Sequence, residues 1–202
     1  MSKLANFIFE VGMLSHTPRS GFPFLGSGEQ SVAEHSFRML HVAFVLARLS
    51  DEPIDELHLL HLVMFHDLPE ARTGDQNYVN HKYISVDWDK LFGDLAAALP
   101  FGDEIVALAR EYEERASPEA RVAYDADQLE FIATVKEQMD IGNPLAADWL
   151  PPALARVKTE AGKKLAEEIL ATRSVEWWFG DKSDRHWLDR GRDDKFQTSQ
   201  VE

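Results

Sequence analysis

Two histidines and two aspartates in this chain have the types and settings needed to hold a metal ion. His35 lies in the first turns of a segment with helical apolar spacing. His66-Asp67 directly follows the apolar run Leu62, Val63, Met64, Phe65. Asp127 sits within Tyr124-Asp125-Ala126-Asp127-Gln128-Leu129. An aspartate placed after four apolar residues needs a partner wherever it is buried. Together the four residues offer two imidazoles and two carboxylates. That mixed nitrogen–oxygen set suits one divalent ion such as Mn, Co, Ni, Fe, Zn or Mg. Four protein ligands on an octahedral ion leave positions for water and a phosphate oxygen, so the ion can acidify the water and neutralise phosphate charge. Taken singly, each residue has a plainer reading. A lone histidine on a half-apolar helix is usually packing, and Asp125 competes with Asp127 for the ligand role.

The elements that must position these residues read as helices almost throughout. Leu4, Phe7, Ile8, Val11 and Leu14 recur at three-and-four spacing. A loop follows from 16 to 30, and its Thr17-Pro18-Arg19-Ser20-Gly21-Phe22 core cannot be regular helix. The next helix is expected from Ser31 to about Ser50, opened by the capping box Ser31-Val32-Ala33-Glu34, which also accounts for Glu34. A third is expected over 54–71, carrying His66-Asp67 near its end and stopping at Thr73-Gly74-Asp75. Residues 76–86 read as a loop or short helical turns. Further helices are expected over 87–98, 102–115, 118–140 and 151–171, with prolines at several starts, where a missing amide hydrogen costs little. No stretch shows sustained two-residue alternation, so no sheet is expected. His58, His61 and Trp177-Trp178-Phe179 read as surface or packing residues, the aromatics as a lid or dimer contact. His81 lies in the loop near the site, a lesser candidate for contact with substrate or a second metal.

Composition bounds the function classes. A chain of 202 residues, 45% hydrophobic and 28% charged, fits one helical domain, here taken as 1–180, with a polar extension over 181–202. No cysteine is present, which excludes a thiolate metal site or cysteine nucleophile and suits a cytoplasmic setting. The net charge of −14 argues against long nucleic acid as a partner. A small phosphorylated molecule needs only one or two cations and a metal. No apolar run approaches the ~18 residues of a membrane span.

The order His35, then His66-Asp67, then Asp127, each on a different expected helix, resembles the HD-domain metal-dependent phosphohydrolases. The resemblance covers roughly residues 5–140 and extends to the branch containing the 5′-deoxynucleotidases. That closer likeness is carried by Thr17-Pro18-Arg19-Ser20-Gly21-Phe22, Ser31-Val32-Ala33-Glu34-His35-Ser36, Asp127-Gln128, and His66-Asp67-Leu68-Pro69-Glu70-Ala71-Arg72-Thr73-Gly74-Asp75. It implies an all-α HD bundle, a homodimer, and hydrolysis of a deoxynucleoside 5′-monophosphate. It further implies that Glu70 and Asp75 handle protons and that Arg19 holds phosphate, a task suited to a guanidinium fork. Where the bacterial enzymes carry Trp after the arginine, this chain has Ser20, while Phe22 matches the eukaryotic-like variant. Other readings are an HD hydrolase of a nucleoside triphosphate, cyclic nucleotide or alarmone, an HD-type di-iron oxygenase, and a non-catalytic metal-binding module. The oxygenase needs two more histidines between His66 and Asp127, and only His81 is there.

Overall fold

The computed structural model describes residues 3–184 together with 186 and 187. Most of the expected 181–202 extension lies outside the described residues. Eleven α-helices are present among the described residues, with no strand. They are α1 (Lys3–Gly12), α2 (Phe22–Leu25), α3 (Val32–Leu49), α4 (Glu56–Phe65), α5 (Glu70–Thr73), α6 (Trp88–Ala98), α7 (Gly102–Glu114), α8 (Pro118–Asp140), α9 (Leu150–Arg156), α10 (Glu160–Ala171) and α11 (Glu176–Phe179). Among the described residues no helix is long and apolar enough to cross a membrane.

Helix α8 is the axis of the bundle and packs against α3, α4, α7, α9 and α10. Its position explains why polar side chains such as Asp125, Gln128 and Glu130 are buried beside Leu129 and Ile132. A helix surrounded on all sides has no solvent face on which to place them. The main core joins Met39, Ala43 and Leu46 of α3 to Leu59, Leu62 and Val63 of α4 and to the apolar residues of α8. Helix α3 begins as its sequence dictates: the Ser31 side chain accepts from the Glu34 amide, and Glu34 accepts from the Ser31 amide.

Three expected boundaries need correction. The helix expected over 54–71 ends at Phe65, and α5 starts afresh at Glu70. Pro69 has no amide hydrogen and disfavours helical geometry at the residue before it. The chain therefore turns through residues 66–69, with the Leu68 amide donating to the Phe65 carbonyl. The helix expected over 151–171 is two helices, α9 and α10. Between them the Lys158 and Thr159 amides donate to Asp125, and Thr159 caps α10 through the Gly162 amide. The buried carboxylate of Asp125 supplies what helix continuation would have supplied to those amides. Within the 16–30 loop, Phe22–Leu25 forms one helical turn, closed by Gly26 at φ 81°. Thr17–Gly21 stays non-helical, pinned by a bridge between Pro18 and Ser31.

Candidate metal centre and its cleft

The turn after α4, the start of α3 and the middle of α8 bring His35, His66, Asp67 and Asp127 together. One ligand atom from each of His35, His66 and Asp127 lies within 4.8 Å of the others. Asp67 Oδ2 is 3.0 Å from His66 Nε2 and 3.7 Å from His35 Nε2, and Asp127 Oδ1 is 3.1 Å from His35 Nε2.

The far side of each ring fixes what faces the centre. His66 Nδ1 lies 2.8 Å from the Val63 carbonyl oxygen, and His35 Nδ1 lies 2.6 Å from Glu130 Oε2. A carbonyl and an ionised carboxylate only accept, so both Nδ1 atoms carry hydrogen and both Nε2 atoms point inward. Asp127 is held in the same manner. Its Oδ2 accepts from Gln128 Nε2 at 2.7 Å and from the Tyr112 hydroxyl at 3.3 Å, leaving Oδ1 toward the centre. The Tyr112 ring also packs on His66 with centroids 5.1 Å apart.

Five buried side-chain polar atoms among the described residues have no hydrogen-bond partner: His35 Nε2, His66 Nε2, Asp67 Oδ2, Glu70 Oε2 and Gln76 Oε1. Three belong to this cluster, Glu70 lies beside Asp67 and Asp75, and Gln76 lines the adjoining cleft. Buried polar atoms are normally satisfied. Convergent imidazole nitrogens and carboxylate oxygens in that condition fit a divalent cation. Asp125, the competing candidate, is fully occupied elsewhere by the Lys158 and Thr159 amides and the Thr159 hydroxyl.

Arg19 reaches the cluster from the loop before α3. Its Nη1 is 3.6 Å from Asp67 Oδ2 and 3.4 Å from Asp75 Oδ1. Asp75 accepts at its other oxygen from the Ser20 amide and, at 2.7 Å, the Ser20 hydroxyl. Both Asp75 oxygens thus contact the Arg19–Ser20 loop. Glu70 differs. Burial and the neighbouring charges of Asp67 and Asp75 raise its pKa to about 9, against the opposing pull of Arg19 and His35. Asp127 is held well below the ordinary aspartate value: burial acts the other way but is outweighed by His35, Arg19 and His66.

His35 has a consequence of its own. Burial and Arg19 press its pKa down, but Asp127 and Glu130 outweigh them and raise it to about 9. In metal-depleted protein at pH 7 the ring is therefore charged, and a metal must displace its proton. Metal affinity should rise about tenfold per pH unit from 7 toward 9, with about one proton released per ion. Calorimetric titrations in buffers of different ionisation enthalpy count that proton. Binding with no proton release at pH 7 would contradict the assignment.

A cleft of about 630 Å³ opens from this centre. Arg19, Asp75 and Asp127 line it, and Phe22, Phe131 and Trp149 contribute aromatic walls. Trp149 was not singled out from sequence, since its 3-10 turn after α8 has no motif to announce it. Gln128 was marked only as the neighbour of Asp127, and Tyr112 and Glu130 were missed for a similar reason: only the packing of α7 and α3 on α8 brings them to the ligands. His58 binds Glu111 at 3.0 Å, away from the cluster, as a packing role requires. His81 lies on a short exposed turn outside the cleft lining. Trp177 is 86% exposed, while Trp178 and Phe179 pack with Trp187.

The HD domain family model matches residues 11–169, which include every residue of this centre. The chain belongs to the HD domain family. Relatives in zebrafish (Danio rerio) and cattle (Bos taurus), each named 5′-deoxynucleotidase HDDC2, are 28% and 29% identical. The zebrafish match covers 71% of this chain and 74% of the relative, and the cattle match 69% and 70%. A crystal structure of a Pyrococcus horikoshii protein superposes with a TM-score of 0.70 at 28% identity, covering 83% of this chain and 98% of that one. The helical fold and the family sequence signal thus each span most of this HD-domain chain.

Proposed function

We propose that this HD-domain chain is a metal-dependent phosphohydrolase that releases phosphate from nucleoside 5′-monophosphates, with deoxynucleotides preferred. One observation carries the reading: the buried, unpartnered imidazole and carboxylate atoms lie against Asp127 and Arg19, which themselves line an aromatic-walled cleft. The names of the zebrafish and cattle relatives support the nucleotide substrate.

His35, His66, Asp67 and Asp127 would hold the ion. A divalent ion there would acidify a water and offset charge on a phosphate oxygen. The chain's own groups do the rest. Arg19 grips the phosphate, displacing its long contacts to Asp67 and Asp75. Asp75 and Ser20 fix the loop from which Arg19 reaches. Glu70, its carboxyl held toward the protonated form by burial and by Asp67 and Asp75, donates its proton to the ester oxygen as the phosphorus–oxygen bond breaks and water adds to phosphorus. Phe22, Phe131 and Trp149 offer flat apolar surfaces for a base.

Arg19→Ala tests the division of labour. A charge-assisted phosphate contact is worth roughly 1.5–3 kcal/mol, so kcat/KM should fall about tenfold to a hundredfold. Metal content should be unchanged or higher, because a guanidinium beside Asp67 opposes a cation. Loss of metal from this variant would show that Arg19 serves the ion instead. A panel of ribo- and deoxyribonucleoside mono-, di- and triphosphates with Mn, Co or Mg tests the substrate. Fastest turnover is expected with deoxynucleoside monophosphates. A preference for triphosphates, or for ribonucleotides, would overturn the finer reading.

A further inference from the structure

We propose that Glu130 is a positioning residue for the metal-facing imidazole of His35, held in place for that task by Arg38 and Gln30. The inference rests on the reading that His35 binds a metal.

Glu130 is fully buried in α8, three residues beyond Asp127. A buried carboxylate is costly unless paired and hydrogen-bonded. Its two oxygens divide the work. Oε1 accepts from Arg38 Nε at 2.8 Å, Gln30 Nε2 at 2.7 Å and the Thr134 hydroxyl at 3.2 Å. Oε2 is engaged by His35 Nδ1 at 2.6 Å. One oxygen thus anchors the charge and the other faces the ring.

The two imidazoles of the centre are supported unequally. His66 leans on a neutral backbone carbonyl, whereas His35 leans on a full negative charge. A carboxylate behind a ligating imidazole fixes its tautomer and orientation and makes the opposite nitrogen a stronger donor. Gln30 ties the same carboxylate to the phosphate side. Its backbone carbonyl accepts from the Arg19 amide at 2.8 Å while its side chain donates to Glu130. Glu130 therefore joins the metal ligand on α3 to the loop that carries Arg19.

Glu137 provides an internal control. It binds Arg38 Nη1 at 2.6 Å, about two turns beyond Glu130, and is far more exposed. It joins the same ion-pair network through Arg38, whereas the His35 ring is engaged by Glu130.

The test is calorimetric binding of Mn²⁺ to metal-stripped full-length protein, with circular dichroism and thermal unfolding of the same samples. Glu130→Gln should weaken Mn²⁺ binding about 10- to 100-fold, while Glu137→Gln stays within about twofold of the parent. Equal affinity in Glu130→Gln and parent overturns the proposal. So does an equal loss in both variants, which would mark a merely structural network. Should Glu130→Gln fail to fold, Glu130→Asp decides by the same criteria, since it keeps the charge but withdraws it from His35. No substrate enters this measurement. Glu130-dependent metal binding in a protein that hydrolyses no nucleotide would refute the proposed function alone.

Discussion

Replacing His66 or Asp67 by alanine is expected to abolish phosphate release and remove most bound metal. His66 Nε2 and Asp67 Oδ2 lie 3.0 Å apart, both buried and both without hydrogen-bond partners. Deleting either removes one of four donors and leaves the other facing uncompensated charge. The two variants should differ in stability. His66 packs against Tyr112, so its loss opens space in a tight region. Asp67 is the more exposed of the pair and sits beside Arg19. Metal analysis and steady-state rates on folded protein check the expectation. Wild-type turnover in either variant would place the chemistry elsewhere.

Glu70→Gln should collapse turnover by about 10²–10⁴-fold while metal content and KM change little. The side chain is preserved in size, so the loss isolates the proton. With its pKa raised to about 9 by burial, Asp67 and Asp75, Glu70 keeps that proton at neutral pH and can give it to a leaving oxygen. The sign follows directly: the neutral acid is the active form, so kcat should fall as pH rises through the Glu70 pKa. A cation among the neighbouring ligands would stabilise the carboxylate, so that fall should lie below pH 9. Glu70→Gln should lose this alkaline limb together with the rate. A variant in which only KM moves would remove Glu70 from proton transfer.

Much of the centre was legible because chemistry and periodicity agree. His35 follows a capping box that starts its helix where expected, and the His66-Asp67 pair ends an apolar run whose Leu62 and Val63 are fully buried. Asp125 and Asp127 could not be separated from local pattern alone. Their separation depends on the break at 157–159, whose amides claim Asp125. That break was itself missed, because the apolar spacing of 151–171 continues across it. Pro69 was visible, yet its effect was underestimated. By interrupting the helix it lets Glu70 begin a new one beside Asp67 and Asp75. Trp149, Tyr112 and Glu130 depend on which faces of α3, α7, α8 and the following turn meet. Such long-range packing leaves no signature in residue spacing.

The most direct test compares one protein preparation in two states. Protein stripped of metal by chelator and dialysed should release no phosphate from a deoxynucleoside 5′-monophosphate. Stepwise addition of Mn²⁺ or Co²⁺ should restore turnover in proportion to occupancy, saturating at about one ion per chain. His66→Ala should neither bind the ion nor respond. Undiminished turnover in the stripped protein, or a fully loaded protein that hydrolyses no phosphomonoester, would contradict metal-dependent phosphate release at this centre.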